Sequence, residues 1–358
     1  MRVLFIIICY NLKMLIDKYQ KAKYIFVVGI GGSDLASKAV WSAITLHKSN
    51  IDKKLFFLES PDIREYEEIT NFVKNKIANL EEVVLIVISK SGQTAETLEA
   101  YHKTFDILFK KFGPLASDRV VVISTPNSPL WKLAEKGTIK KIAWDEDVGG
   151  RFSAFTVAHT TVISLAGLDA DAFVAGGKEI DKKYEIEDEN GEVKHLAKNI
   201  YNNYEKGFDI LDFFIFNSEL EDLGKWCRQL IAESLGKENE EGEKIGLTPT
   251  VSIGPVDMHS ILQLNLGGPK NRFTIFIKSL FEIKNSVNDK AYEDVSKAYK
   301  EADLPFVKYE IEKINERELG SFMAYMINVT LELAKLFKVN PYGQPAVEEY
   351  KKHLTENN

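Results

Sequence analysis

Tyr24-Ile-Phe-Val-Val-Gly29-Ile-Gly-Gly-Ser33-Asp34 decides the fold: an apolar run, a glycine turn, then an amphipathic segment from Asp34 to His47. An unbroken apolar run of this length reads as a strand buried on both faces, and a helix after it opens a βαβ unit. The rhythm repeats outward. KLFFLES (54–60) precedes a helical pattern from Asp62 to Leu80, VVLIVIS (83–89) one from Thr94 to Phe112, and VVVIS (120–124) one from Pro129 to Glu135, before KKIAW (140–144). Fully apolar strands between helices predict a parallel sheet covered on both faces, a doubly wound α/β arrangement. The second half resumes the alternation. FDILDFFIF (208–216), a helical stretch through Trp226 and Leu230, TPTVSIG (248–254), RFTIFIKSLFEI (272–283) and FVKYEIEKI (306–314) lead to a long helix from Arg317 to Phe337 and a last one after Pro345. Between the halves, FTVAHTTVISLAGL (155–168) runs to Gly176 and Gly177, and the charged segment from Lys178 to Lys194 reads as a linker or an amphipathic helix. The expected organisation is two subdomains, 20–170 and 171–358, each a doubly wound parallel sheet, with a C-terminal helical segment.

A chain of 358 residues, 45% hydrophobic, is long enough for about two domains. Its net charge of −7 offers no reason to bind nucleic acid or an anionic membrane surface, so an anionic substrate would need a locally built site. Cys9 and Cys227 lie far apart without CxxC spacing, which indicates neither a disulfide framework nor structural zinc, and fits a reducing, cytoplasmic setting. The run Val3 to Tyr10 is far shorter than the roughly 20 apolar residues of a membrane span. With Asn11, Lys13, Asp17 and Lys18 following, it reads as a buried strand or helix rather than a targeting element.

Two loops carry candidate chemistry. In Gly29–Asp34 the glycines would let a ligand approach the backbone, and the helix that follows offers N–H groups to an anion. The dinucleotide fingerprint fails because Asp34 stands where its third glycine belongs, and the P-loop ending is missing. The plain alternative is a tight turn with Ser33 or Asp34 as a helix cap. In Ser89-Lys90-Ser91-Gly92-Gln93-Thr94, hydroxyls, a lysine and a helix start at the C-terminal edge of a parallel sheet suit a phosphate dianion. There the alternative is capping by Thr94 to Thr97. The coincidence of both loops on one sheet edge favours phosphate binding, with Gly32, Ser33, Ser89, Lys90, Ser91 and Thr94 as candidates.

Six segments in order, GIGGSDL (29–35), SKSGQTAET (89–97), VGGRFS (148–153), QLIAESLGK (229–237), DMHSILQL (257–264) and NPYGQPAVEEYK (340–351), span nearly the whole chain. Together they resemble the glucose-6-phosphate isomerase (phosphoglucose isomerase) family, of the sugar isomerase (SIS) fold. The resemblance implies reversible interconversion of glucose 6-phosphate and fructose 6-phosphate through an enediol or enediolate, in glycolysis and gluconeogenesis, without metal or redox cofactor. It puts Glu233 in the role of base and Arg151 beside the enediolate. It gives ring opening to His259 assisted by Lys351, and places Gln229 and Gln344 against sugar hydroxyls or phosphate. It also implies a homodimer in which His259 reaches the partner's site.

Each residue has a plainer reading. Glu233, just after a helical stretch, would be a solvated glutamate; Arg151 a surface partner of Asp145 or Asp147; Lys351 a solvated helix lysine. His159, in an apolar stretch, is expected to be a satisfied core histidine. The chain departs from the family at Ala154 and His159, where a larger aliphatic residue and a glycine are commoner, and at Gly343 and Ala346. Competing functions are a bifunctional glucose/mannose phosphate isomerase and a non-catalytic phosphosugar-binding SIS module, which would need no Glu233, Arg151 and His259. An NAD-dependent oxidoreductase is a third, weakened by the failed fingerprint.

Overall fold

The computed structural model describes residues 10–46, 48, 51–60, 62–135, 137–186, 190–281 and 286–347. The chain divides into two compact units that interleave in sequence: Met1–Asp181, Glu219–Trp226 and Lys313–Ala324 form one, and Lys182–Ser218, Cys227–Glu312 and Tyr325–Asn358 the other.

In the first unit, α1 (Tyr10–Tyr19), β1 (Tyr24–Val28), α2 (Leu35–Thr45), β2 (Lys54–Leu58), α3 (Ile63–Lys76), β3 (Val83–Ile88), α4 (Ala95–Phe112), β4 (Val120–Ser124), α5 (Pro129–Ala134), β5 (Lys140–Ala143), α6 (Val157–Leu165) and most of α7 (Ala170–Ile186) follow one another. The five strands form one sheet in the order β2-β1-β3-β4-β5, every pair parallel. Successive strand residues point to opposite faces, and both faces are packed. Phe26, Val28, Leu85, Val87 and Val122 meet Tyr66 and Ile69 of α3, Tyr101 and Leu108 of α4 and Leu130 of α5. Ile25, Val27, Ile86, Ile88 and Ile123 meet Leu15 and Tyr19 of α1 and Val162 and Leu165 of α6. This two-sided burial is why the strands carry no polar alternation. The run from Val3 lies outside the described residues apart from Tyr10, where α1 begins.

The second unit contains α8 (Glu192–Tyr204), β6 (Ile210–Ile215), most of α9 (Glu221–Leu235), a short hairpin of β7 (Lys237–Glu238) and β8 (Lys244–Ile245), β9 (Thr248–Ile253), α10 (Leu262–Gly267), β10 (Arg272–Ser279), α11 (Val287–Glu301), β11 (Phe306–Ile311) and the later part of α12 (Glu316–Leu336). Its main sheet runs β11-β10-β6-β9, again all parallel. One face is an aromatic core in which Phe214, Phe216 and Phe276 meet Tyr292, Val295 and Tyr299 of α11. The charged stretch 178–194 enters two helices, α7 and α8, so apart from the turn at Asn190 and Gly191 its described part is amphipathic helix. Among the described residues no helix is long and apolar enough to cross a membrane.

Candidate active site

In the first unit the chain steps from β1 to β2 on one side, then returns to β3 on the other. The C-terminal ends of β1 and β3 therefore flank the topological switch point, where open parallel sheets bind ligands. Both candidate loops leave from these ends. The first begins a single helical turn, Gly31–Ser33, before α2. Gly32 lies so close to the later Gly150 that a Cβ on it would stand 2.3 Å from the Gly150 carbonyl carbon, so the contact requires glycine. Asp34 occupies the N-cap position of α2 without its side chain capping the helix. Its carboxyl is fully buried and faces the Glu59 carboxyl, to which it hydrogen-bonds in its protonated form. Burial, then the neighbouring Glu59 carboxyl, push Asp34 well above the usual carboxylate range. Lys38 opposes this and pairs with Glu59 at 2.5 Å.

The second loop turns at Gly92, where φ is +63° and a Cβ would lie 2.6 Å from Ser128 Oγ. The Gly92 N–H donates to Ser89 Oγ at 3.1 Å and the Gln93 N–H to Ser91 Oγ at 3.2 Å. Ser124 Oγ donates to the Ser89 carbonyl at 2.6 Å, anchoring the loop on β4. Thr94 stands at the N-cap of α4 but its side chain makes no capping bond. The first N–H groups of that 18-residue helix, with their partial positive charge, thus face the hydroxyl-lined turn. Lys90 is half-buried and Ser91 exposed at its rim.

Arg151 sits on the single helical turn Gly150–Phe152 and is only 3% exposed, so it is not the surface cation of the plainer reading. Its guanidinium carbon lies 5.3 Å from the centre of the Phe152 ring. Ser153 Oγ reaches the carbonyls of Gly32 at 3.0 Å and Gly150 at 2.6 Å. The Arg151 turn and the first loop are thereby brought together.

In the second unit, α9 places Gln229 and Glu233 one turn apart on the same face. Gln229 Nε2 donates to Glu233 Oε1 at 3.0 Å, and Gln344 Nε2 donates to Glu233 Oε2 at 2.6 Å. Both carboxylate oxygens are therefore held by neutral amides, and Gln229 Oε1 is buried without a partner, an acceptor suited to a hydroxyl. Glu233 is half-buried inside the last turn of α9, where sequence reading put it just past the helix. His259 is exposed on the helical turn Val256–His259 that follows β9. Asp257 braces that turn, accepting from the Ile253 N–H at 2.7 Å and from Ser260 Oγ at 2.8 Å. Lys351 lies outside the described residues.

Sequence reasoning missed Lys237. Its ammonium donates to the carbonyls of Asn340, Tyr342 and Gly343 at 2.6, 2.8 and 3.1 Å, wrapping the turn that delivers Gln344. Its presence in ESLGK was the only available signal. Among the described residues no group of His, Cys, Asp or Glu converges as a metal site would.

Two parallel α/β units, one with hydroxyl- and glycine-lined loops at its switch point, the other with a carboxylate held by two amides, define a fold of the sugar isomerase type. A hypothetical protein from Thermus thermophilus shares it at a TM-score of 0.87, with 23% identity over 97% of this chain and 87% of that one. Glucose-6-phosphate isomerase from Chlamydia trachomatis shares it at 0.84, with 20% identity over 97% and 72%. Closer in sequence, glucose-6-phosphate isomerase from Methanocaldococcus jannaschii is 31% identical, over 94% of this chain and 85% of that one. The family model for phosphoglucose isomerase matches residues 17–271. The chain belongs to the phosphoglucose isomerase family.

Proposed function

We propose that this protein is an aldose–ketose isomerase that interconverts glucose 6-phosphate and fructose 6-phosphate, serving glycolysis and gluconeogenesis. The observation that carries the reading is the Glu233 carboxylate, aimed by Gln229 and Gln344 and belonging to a chain of the phosphoglucose isomerase family. In the open-chain aldose, Glu233 removes the proton from C2, and the electron pair moves into a C1–C2 double bond as the C1 carbonyl becomes an enediolate oxygen. The same carboxylic acid then returns the proton to C1 while the O2 hydroxyl gives up its proton and O1 takes one, leaving a hydroxyl on C1 and the carbonyl at C2. The carbon proton is thus taken and given by one residue, and the hydroxyl proton moves from O2 to O1 with no net acid, base or oxidant consumed. Arg151 stabilises the enediolate, since a planar guanidinium held in a dry setting interacts with developing charge more strongly than in water. Ser33, Ser89, Lys90, Ser91, Thr94 and the start of α4 take the phosphate, and Gly32 allows close backbone approach. His259 and Lys351 open the sugar ring. The enzyme works in the cytoplasm as a homodimer with shared sites.

The test is a coupled assay for glucose 6-phosphate formed from fructose 6-phosphate, run after treatment with chelator. Activity is expected to persist; loss that a divalent metal restores points to a different isomerase class. Glu233→Gln is expected to retain sugar-phosphate binding and to lower turnover by about 10²–10⁴-fold or more. Near-normal exchange of the C2 hydrogen with solvent in that variant removes Glu233 from the role of base. Arg151→Lys keeps the charge but loses the donor fork, and its turnover should also fall substantially.

A further inference from the structure

His159 is assigned no part in the chemistry above, yet it joins the two segments that carry Ser33 and Arg151. Its imidazole is fully buried on α6. Nδ1 lies 3.2 Å from the Ser37 backbone nitrogen and 3.3 Å from Ser37 Oγ. Nε2 lies 3.1 Å from the Gly32 carbonyl oxygen and 2.9 Å from Ser153 Oγ. A backbone amide can only donate and a carbonyl can only accept, so these partners settle the tautomer: Nδ1 carries the lone pair and Nε2 the hydrogen. Ser37 Oγ donates elsewhere, to the Asp34 carbonyl at 2.8 Å, which leaves the Ser37 N–H as the donor to Nδ1. The ring thus grips the first loop at Gly32, the first turn of α2 at Ser37, and the Arg151 turn through Ser153. The bare backbones of Gly32 and Gly150 touch beneath it.

We propose that His159 is a positioning residue, a neutral imidazole held as the Nε2–H tautomer that clamps the first glycine loop onto the Arg151 turn and so sets the spacing between Ser33 and Arg151. A side chain with an acceptor on one side and a donor on the other satisfies both the Ser37 amide and the Gly32 carbonyl. An aliphatic residue of similar size would leave both unpaired in a buried place. The catalytic part of the proposal rests on the reading that Arg151 faces the enediolate; the clamp itself does not.

Three measurements on the full chain test it. Nitrogen-15 NMR of the wild-type histidines should show one neutral Nε2–H imidazole that does not titrate from about pH 8 to about pH 5.5. An Nδ1–H tautomer, or titration of His159 near its ordinary value, overturns the proposal without any variant having to fold. Amide exchange at residues 31–37 and 150–153 should accelerate in His159→Ala and return towards wild type in His159→Gln, whose side-chain amide can still donate to the Gly32 carbonyl. Well below the unfolding temperature, His159→Ala should lower kcat by roughly 10- to 100-fold, with KM for fructose 6-phosphate within about threefold of wild type. His159→Gln should recover most of that loss. A folded His159→Ala protein with wild-type kcat overturns the positioning role, because a purely structural residue would change stability and leave the turnover of folded molecules alone. A wild-type protein without isomerase activity sinks the isomerase reading alone; exchange rates then decide the clamp, and unchanged exchange overturns it.

Discussion

Asp34 and His159 are both fully buried beside the first loop, and burial moves them in opposite senses because it disfavours whichever form is charged. For His159 burial lowers the folded-state value to about 4, with the Gly32 carbonyl opposing it. An unfolded histidine titrates near 6.5, so the stabilisation from keeping the ring neutral is complete above about pH 6.5 and is lost as pH falls through about 4, an effect of about 3 kcal/mol. Thermal unfolding should show the wild type losing stability faster than His159→Gln across that window; parallel curves would mean the ring is not protected from protons. Asp34 has the reverse sign. A carboxyl whose folded value is raised stabilises most below the unfolded value near pH 4, and that contribution is lost as pH rises. Asp34→Asn, almost isosteric and unable to ionise, is expected to unfold at a higher temperature than wild type at neutral pH, with the advantage vanishing near pH 4. A lower unfolding temperature at neutral pH would mean that an ionised Asp34 is stabilising.

At the scale of elements, what matters is how a helix end and a loop are held against one another. The last turn of α9 carries Glu233, and Lys237, one turn beyond it, ties down the turn 340–343 that presents Gln344. Three carbonyls around one ammonium are charge-assisted hydrogen bonds, stronger than neutral ones. Lys237→Met keeps the alkyl stem and deletes the donor. It should lower kcat/KM for fructose 6-phosphate by about tenfold through a misplaced Gln344, and cost about 1–3 kcal/mol in stability from the carbonyls left behind. A variant that is destabilised but has wild-type kcat/KM would show that the staple serves stability only.

For the whole molecule, the proposal of a shared site makes a quantitative forecast. Inactive Glu233→Gln chains mixed with inactive His259→Ala chains should form heterodimers with one site lacking both groups and the other intact. Random pairing makes about half of the dimers mixed, so activity should recover to roughly a quarter of wild type. Subunit exchange without recovery would place His259 in its own chain's site or outside catalysis. The exposed position of His259 beyond β9 suits a residue that serves a neighbouring chain.

What the amino-acid sequence determined by itself was local. Apolar runs such as VVLIVI and the helical patterns after them fix each element, because backbone hydrogen bonding and face burial are settled within a few residues. The parallel sheets follow from that alternation, whereas the pairing of Gln229 with Glu233 depends on α9 continuing to Leu235, past the point where the sequence reading ended that helix. The Asn340–Gln344 turn lies more than a hundred residues from Lys237 and Glu233, and nothing in NPYGQ identifies α9 as its partner. His159 shows the same division. Its burial was legible in FTVAHTTVI, but its hold on Gly32 and Ser37, more than 120 residues away, was not. Nor does any change of composition announce that 219–226 and 313–324 return to the first unit. Such contacts form only when the chain closes long loops, at an entropic cost that depends on the packing of everything else, and so the tertiary structure alone decided them.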